Sequence, residues 1–94
     1  MKTTKVEGTN KKHKVLVYAI STCPWCQKTK RFLKNNGVEF EYLDIDLCSQ
    51  EDREEARTDL QKRGAPLSYP ALIIDSKIVV TGYHEDKIKE ALEI

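Results

Sequence analysis

The sequence holds two cysteines three positions apart, Cys23-Pro24-Trp25-Cys26, where a strand pattern changes into a helix pattern. Residues 14–19, just before this motif, are β-branched and apolar on both faces, which is typical of a buried strand covered on two sides. Pro24 suits the first position of the following helix, where a missing N–H costs nothing. Apolar residues then repeat at helical spacing as far as Asn36-Gly37, a common C-terminal stop. A strand that leads directly into a helix limits the chain to the α/β class.

The rest of the chain predicts the order β-α-β-α-β-β-α. Strands are predicted at 14–19, 38–44, 71–75 and 78–81, and helices at 24–36, at about 50–63 and from His84 onward. The first β-α-β unit needs a right-handed crossover, which makes its two strands parallel. The last two strands form an antiparallel hairpin around Ser76-Lys77. We therefore predict a mixed four-stranded sheet with helices on both faces.

The chain of 94 residues has room for a single small domain. Residues 1–13 show neither strand nor helix periodicity and are rich in lysine, so we predict a flexible N-terminal tail before a domain at 14–94. Two interpretations of this tail stay open, a solubilising extension and a docking arm for an acidic partner.

Composition excludes several classes of protein. Sixteen basic and fifteen acidic side chains give a net charge of +1, which offers no reason to expect a nucleic-acid or membrane partner. The apolar runs are much shorter than the roughly 20 residues that span a bilayer, and the polar N-terminus lacks the apolar core of a secretion signal. Three cysteines are too few, and of the wrong parity, for a disulfide-stapled secreted domain. We expect a cytoplasmic protein that acts as a monomer.

The position of the cysteine pair predicts its chemistry. A free cysteine has a pKa near 8.5, so only about 3% of it is thiolate at pH 7. Cys23 stands at the predicted N-cap, against unpaired N–H groups and the positive end of the helix dipole, and both favour the anion. The helix carries four cations and no acidic residue: Lys28, Lys30, Arg31 and Lys34. We predict that Cys23 is the nucleophile and that Cys26, one turn behind and covered by the helix, resolves its mixed disulfide.

A cysteine pair has two other common uses, a zinc site and a structural disulfide. A zinc site needs two more ligands, and the candidates are only Cys48, His13 and His84, without a second closely spaced pair. A structural disulfide would be reduced in the cytosol and would close too short a loop to stabilise much. A reactive dithiol is favoured, and we predict no permanently bound metal or organic cofactor.

Three segments in this order make the sequence resemble the glutaredoxin family of the thioredoxin-fold superfamily, over roughly residues 14–92. The Cys-Pro-Trp-Cys motif is close to the family's Cys-Pro-Tyr-Cys, and Ser68-Tyr69-Pro70 stands at its Thr-Val-Pro. Thr81-Gly82-Tyr83, with Asp86, stands at its glycine–aspartate turn. The resemblance implies a thioredoxin fold, a thiol–disulfide oxidoreductase and a cis bond between Tyr69 and Pro70.

The resemblance also implies that disulfide-containing proteins are the partners and that glutathione, or another low-molecular-weight thiol, is the co-substrate. It carries the substrate or glutathione site over to nine residues: Pro24, Trp25, Lys28, Ser68, Tyr69, Pro70, Gly82, Tyr83 and Asp86. Lys12 is a second candidate, beside Lys28, for contact with the glycyl carboxylate. For Trp25, simple packing under a loop stays open as the alternative.

The turn at residues 82–86 departs from the family pattern, since it has one glycine where typical members have two. Its spacing is more similar to the glutaredoxin-like electron donors of ribonucleotide reductase, which are reduced by thioredoxin reductase. The reductant is therefore left open between a small thiol and thioredoxin reductase. A non-catalytic metal-binding or iron–sulfur-binding module on the same scaffold is a further alternative. Cys48 is either a packing residue or a secondary redox site, and His84 is expected on the surface at a helix start.

Overall fold

Three helices cover the two faces of a five-stranded mixed sheet in the computed structural model, which describes all 94 residues. The elements are β1 (Thr4–Val6), β2 (Val15–Ala19), α1 (Pro24–Asn35), β3 (Phe40–Asp44), α2 (Gln50–Lys62), β4 (Ala71–Ile74), β5 (Ile78–Thr81) and α3 (Glu85–Leu92). The strand order is β1-β3-β2-β4-β5. From β2 onward the chain follows the predicted β-α-β-α-β-β-α order, so the α/β class is confirmed. None of the three helices has the length and apolarity that a membrane span requires.

The sheet topology brings four loops together at one edge of the sheet, where strands β2, β3 and β5 end and β4 begins. β2 and β3 are parallel, with Ala19 opposite Asp44, while β4 is antiparallel to β2 and β5 is antiparallel to β4. The carboxyl ends of β2, β3 and β5 therefore meet the amino end of β4 at the same edge. Cys23 follows β2 at this edge, and the loops after β3, before β4 and after β5 surround it.

The sheet has five strands where the sequence predicted four. Within the segment predicted as a frayed tail, Thr4–Val6 pairs antiparallel with β3, and Val6 packs against the buried core. Asn10 forms an isolated bridge with Val38 further along. Three residues are too few to show a strand periodicity in the sequence. β1 forms because it hydrogen-bonds to backbone N–H and C=O groups of β3 that would otherwise be unpaired at the edge of the sheet. The four-stranded prediction is corrected accordingly.

The core consists of two clusters, one on each face of the sheet. One cluster lies under α1 and α3 and includes Val15, Val17, Ala19, Cys26, Leu33, Ile88 and Leu92. The other lies under α2 and includes Tyr18, Leu43, Ala56, Leu60 and Ile73. Successive side chains of a strand point to opposite faces, so β2 supplies both clusters, and this explains its continuous apolar run.

Local signals position the ends of two elements. The Ser49 hydroxyl accepts a hydrogen bond from the Asp52 N–H at 3.1 Å and caps α2. The β4–β5 hairpin turns one residue earlier than predicted, because the left-handed residues are Asp75 and Ser76, with φ of 55° and 57°. A turn of this kind requires positive φ at both central residues, and Asp tolerates that conformation better than most residues.

Candidate active site

The Cys23 sulfur lies at the N-cap of α1. Its backbone is extended, with φ −79° and ψ 119°, and its sulfur accepts a hydrogen bond from the Cys26 N–H at 3.3 Å. Pro24 occupies the first helical turn, so it leaves no N–H unpaired there. The Cys23 sulfur therefore replaces the side-chain oxygen that usually caps a helix, in the position where backbone donors favour a thiolate.

The two cysteines differ sharply in their access to solvent. Cys23 is partly exposed, whereas Cys26 has no exposed surface and belongs to the core cluster beneath α1. Both are free thiols. An incoming disulfide therefore reaches Cys23 but not Cys26.

The surroundings shift the pKa values of the two thiols in opposite directions. Burial acts to raise the pKa of Cys23, but hydrogen bonds from the Cys26 thiol and from the N–H groups of Cys26 and Trp25 outweigh it and hold the pKa below the ordinary value. Burial is also the main cause at Cys26, where the hydrogen bond to the Cys23 sulfur adds to it and raises the pKa to about 12. Of the two sulfurs, Cys23 therefore ionises at the lower pH, while Cys26 keeps its proton.

A hydrogen-bonded pair, Ser21 and Asp46, holds the loop that precedes Cys23. The Ser21 N–H donates to one Asp46 carboxylate oxygen at 2.9 Å, and the Ser21 hydroxyl donates to the other. Hydrogen bonds from the Ser21 hydroxyl and N–H hold the pKa of Asp46 below its usual range. Gln27 adds a bond from its side-chain amide to the Ser21 carbonyl at 2.9 Å.

Sequence reasoning missed the Ser21–Asp46 pair, although a signal for it exists. Ser21 and Asp46 each stand two residues beyond Ala19 and Asp44, which are register partners in the parallel β2–β3 pair. Residues that follow two adjacent parallel strands at equal distance emerge side by side at the same edge. The register was not available from the sequence, so the pairing was not predicted.

The segment before β4 approaches the same edge. The Tyr69–Pro70 bond is cis, as the resemblance implies. The Pro70 carbonyl accepts a hydrogen bond from the Gly82 N–H at 2.7 Å, which joins this segment to the turn after β5. Gly82 has φ +83°, a conformation that favours glycine. Ser68 is exposed, whereas Tyr69 is half-buried against both core clusters.

Three of the predicted site residues meet beside the cysteines. Trp25 is 56% exposed, and its ring stacks on Tyr83 with centroids 6.0 Å apart and planes at 24°. The Lys28 ammonium lies 5.2 Å from the Trp25 centroid and 5.7 Å from that of Tyr83. The Tyr83 hydroxyl donates to Glu85 at 2.8 Å, which fixes the ring from the α3 side. The stack thus connects the helix that carries the thiols to the turn that departs from the family pattern.

Other residues singled out from the sequence lie apart from this arrangement. Lys12 pairs with Glu93 at 3.4 Å and precedes β2, whereas Cys23 follows it, so the length of that strand, about 17 Å, separates them. The prediction that Lys12 contacts the glycyl carboxylate is therefore wrong. Asp86 is exposed in the first turn of α3, and His84 is exposed at its N-cap, as expected. The half-buried Cys48 donates to the Ile45 carbonyl at 3.4 Å and packs against the α2 cluster.

The fold and the site together define a thioredoxin-fold protein with a dithiol at the start of its first helix. Comparison with known proteins agrees, since the family model described as Glutaredoxin matches residues 15–79. An uncharacterized glutaredoxin-like 8.6 kDa protein of the rubredoxin operon of Clostridium pasteurianum is 32% identical over 80 residues, which are 84% of this chain and 97% of that protein. The chain belongs to the glutaredoxin family.

Solved structures give the same result at the level of the backbone. The glutaredoxin of Methanosarcina mazei Go1 superposes with a TM-score of 0.90 and 33% identity, over 100% of this chain and 90% of the other. The methanoredoxin of Methanosarcina acetivorans gives 0.81 and 36%, over 86% and 85%. The family is one of thiol oxidoreductases, and its members in general use glutathione as a co-substrate.

Proposed function

We propose that the protein is a dithiol thiol–disulfide oxidoreductase that reduces protein or small-molecule disulfides through Cys23 and Cys26. The observation that supports this best is the asymmetry of the pair. Cys23 is accessible and has a lowered pKa, whereas Cys26 is buried and has a raised pKa, and the Cys26 thiol and N–H both donate to the Cys23 sulfur. A nucleophile must be exposed and ionised, while a resolving thiol must stay protonated until its turn.

The reaction begins when the Cys23 thiolate attacks one sulfur of the substrate disulfide. A bond forms between Cys23 and that sulfur, the substrate S–S bond breaks, and the other sulfur leaves as a thiolate that takes a proton. Cys26 then loses its proton and attacks the Cys23 sulfur, which releases the second substrate thiol. The substrate has gained two electrons and two protons, and the protein holds a Cys23–Cys26 disulfide.

The raised pKa of Cys26 is compatible with the second step, because its causes change during the first. Besides burial, the hydrogen bond and the charge of the Cys23 thiolate keep Cys26 protonated. Both disappear once the Cys23 sulfur is covalently bound to substrate. The positive charge of Lys30, which lowers the pKa of Cys26, remains. Forming the mixed disulfide therefore makes Cys26 easier to ionise at the moment when it is needed.

In this proposal the substrate lies between the Trp25 ring and the Ser68–Tyr69–Pro70 segment, and backbone groups of Tyr69 pair with its main chain. Gly82, Tyr83 and Asp86 border the same region from the turn after β5. Lys28, exposed beside Trp25, is the cation for a substrate carboxylate. Glutathione or another small thiol then reduces the Cys23–Cys26 disulfide and supplies two electrons.

Thioredoxin reductase is a second candidate for the reductant. The observation that favours it is the position of Tyr83. This residue belongs to the turn at residues 82–86, which departs from the pattern of typical glutaredoxins, and its ring stacks on Trp25 beside the cysteines. The metal-carrier alternative has less support, since no group of three or more His, Cys, Asp or Glu side chains is arranged to hold a metal. A metal or cluster at Cys23 would need ligands from outside the chain.

The choice of reductant is tested by supplying the oxidised protein with each electron source. One assay contains NADPH, glutathione reductase and glutathione, and the other contains NADPH and thioredoxin reductase. We expect NADPH consumption with a small disulfide substrate in the first assay and a much slower rate in the second. Turnover in the second assay alone would assign the protein to the reductase-coupled donors.

The roles of the two cysteines are tested by single substitutions. Cys23→Ser is expected to abolish reduction of a protein disulfide, because the buried Cys26 is out of reach of the substrate. Cys26→Ser is expected to stop turnover at the mixed disulfide, which mass spectrometry detects as an adduct on Cys23. Cys48→Ser is the matched control and should keep wild-type rates. Full activity in Cys23→Ser together with loss in Cys26→Ser would show that the roles are reversed.

A further inference from the structure

A groove between α1 and α3 adjoins the Trp25–Tyr83 stack. Its volume is about 310 Å³, and Lys28 and Tyr83 belong both to the groove and to the stack. It runs along α1 from Lys28 to Asn36, a distance of about 12 Å. We call it the cationic groove.

The charge of the groove is strongly positive. Lys28, Arg31 and Lys89 line it, against a single acidic residue, Glu85. Glu85 is already engaged, because it accepts from the Tyr83 hydroxyl and pairs with Lys89 at 3.6 Å. Neither Lys28 nor Arg31 has a carboxylate partner in the protein. The two α1 cations of the groove are thus available to an anion from outside.

The helix on the opposite face of the sheet has the opposite sign of charge. The helix α2, which packs on the other side of the sheet, has five acidic and three basic residues, while α1 has four basic and none acidic. The near-zero net charge therefore hides a separation between the two faces. A concentration of positive charge along α1 orients an anionic partner more than it raises general affinity.

The groove is also partly aromatic. Phe32 and Tyr83 meet edge to face with centroids 6.1 Å apart, and the Lys89 ammonium lies 6.0 Å from the Phe32 centroid. Cations beside partly buried aromatic rings suit a peptide that has both carboxylates and apolar side-chain carbons, more than they suit a bare inorganic ion.

We propose that the cationic groove binds an acidic segment of the protein whose disulfide is reduced at Cys23, and so selects among protein substrates. The proposal rests on the proposed function. Lys28 and Asn36 lie about 7 Å and about 20 Å beyond Cys23 along the helix axis. An extended chain covers about 3.3 Å per residue, so acidic residues about two to six positions from the reacting cysteine reach the groove.

The test uses synthetic peptide disulfides in pairs. In each pair one peptide carries glutamates at those positions and the other carries glutamines, and the run is placed on either the amino or the carboxyl side of the cysteine. We expect kcat/KM for at least one acidic peptide to exceed that of its glutamine counterpart by about threefold to tenfold at low ionic strength. The preference should disappear at high salt, because the groove is open to solvent.

Variants locate the effect in the groove. Arg31→Gln, alone and with Lys89→Gln, is expected to reduce the acidic preference by about threefold or more. Lys34→Gln is the matched control. It removes the same charge from an exposed position on the same helix, but Lys34 does not line the groove. All variants should reduce a small uncharged disulfide at the wild-type rate.

Each result decides the proposal. Lack of an acidic preference in the wild-type protein overturns it, and so does an equal loss in Lys34→Gln, which would show a diffuse field instead of a site. An Arg31→Gln variant equally impaired on the small uncharged disulfide overturns it as well, since the charge would then act on the Cys23 thiolate. If the wild-type protein failed to reduce the uncharged disulfide at all, the proposed function itself would be wrong.

Discussion

At Cys23 two opposing effects act on one sulfur. Partial burial favours the neutral thiol, while three hydrogen bonds, from the Cys26 thiol and from the N–H groups of Trp25 and Cys26, favour the thiolate and prevail. The sequence predicts the direction of this shift from the helix N-terminus and the all-basic helix. The N–H donors at the helix N-terminus are among its causes in the structure, whereas the cations of α1 are not. It does not predict the contribution of the Cys26 thiol, which depends on the two sulfurs facing each other.

The separation of the two thiol pKa values is directly measurable. The measurement is the rate of alkylation as a function of pH in a Cys48→Ser background. We expect the midpoint for Cys23 to lie below the free-thiol pKa of about 8.5. Cys26 should stay unreactive until the pH approaches about 12. The variant Cys26→Ala removes the thiol donor but keeps the backbone donors, so the midpoint of Cys23 should rise. Two thiols with a common midpoint near 8.5 would contradict this account.

At the scale of elements, prediction succeeded where a local signal marks a boundary. Pro24 and Cys23 mark the start of α1, and Ser49 marks the start of α2, because each works through groups within four residues of it. It failed at β1, whose three residues are held by β3 and not by any preference of their own. The β4–β5 turn was displaced by one residue, since Asp75 and Ser76 share the positive φ that the hairpin needs.

The docking of the N-terminal segment predicts an unusual sensitivity at Gly8. A methyl group there would lie 2.5 Å from the Gly37 carbonyl oxygen and 2.7 Å from the Glu39 nitrogen, both backbone atoms that cannot rotate away. Gly8→Ala should therefore lower the unfolding free energy by about 1 kcal/mol and speed amide exchange in β3.

The control for Gly8 is its neighbour. Glu7→Ala alters an exposed side chain with no hydrogen bond or ion pair, so we expect a change within about 0.5 kcal/mol in urea unfolding. If Gly8→Ala proved as neutral as Glu7→Ala, the segment would be frayed, as its sequence first indicated.

At the scale of the whole molecule, His13 forms ion pairs with Asp75 and Glu93 at the end of the sheet opposite the thiols. We call this group of three residues the clasp. His13 Nδ1 lies 2.5 Å from an Asp75 carboxylate oxygen, and Nε2 lies 2.9 Å from Glu93. The other Asp75 oxygen accepts from the Lys14 N–H at 2.9 Å. The clasp thus joins the start of β2, the β4–β5 turn and the end of the chain.

The clasp predicts a pH dependence of stability with a definite sign. The hydrogen bond to Asp75 raises the pKa of His13, so its stabilisation is complete below the unfolded value of about 6.5 and is lost as pH rises through the raised pKa. The hydrogen bond from His13 lowers the pKa of Asp75. The stabilisation that Asp75 contributes is therefore complete above its unfolded pKa of about 3.8 and is lost as the pH falls through the lowered pKa. The clasp contributes most between about pH 4 and 6.5.

Urea unfolding at a series of pH values tests this. The wild-type midpoint should fall as the pH rises above about 6.5, and His13→Asn should remove that part of the slope. His84→Asn is the matched control, because the protein has only these two histidines and His84 has no charged partner. Equal slopes in wild-type and His13→Asn proteins would show that the clasp does not stabilise the fold.

The sequence by itself determined the α/β class, the start of α1 at the cysteine motif and the order of elements from β2 onward. These depend on periodicity, on caps and on proline geometry, all of which act within a few neighbouring residues. The site residues it selected stay a proposal in their roles, although the structure brings Trp25, Lys28 and Tyr83 into contact.

Only the tertiary structure decided which distant residues meet. It joined Ser21 to Asp46 and Trp25 to Tyr83, placed Lys12 at the far end of the sheet and added β1 at its edge. Such contacts follow from strand register and from which helix lies on which face. Both are set by the packing of the whole core, and no short stretch of the sequence contains that information.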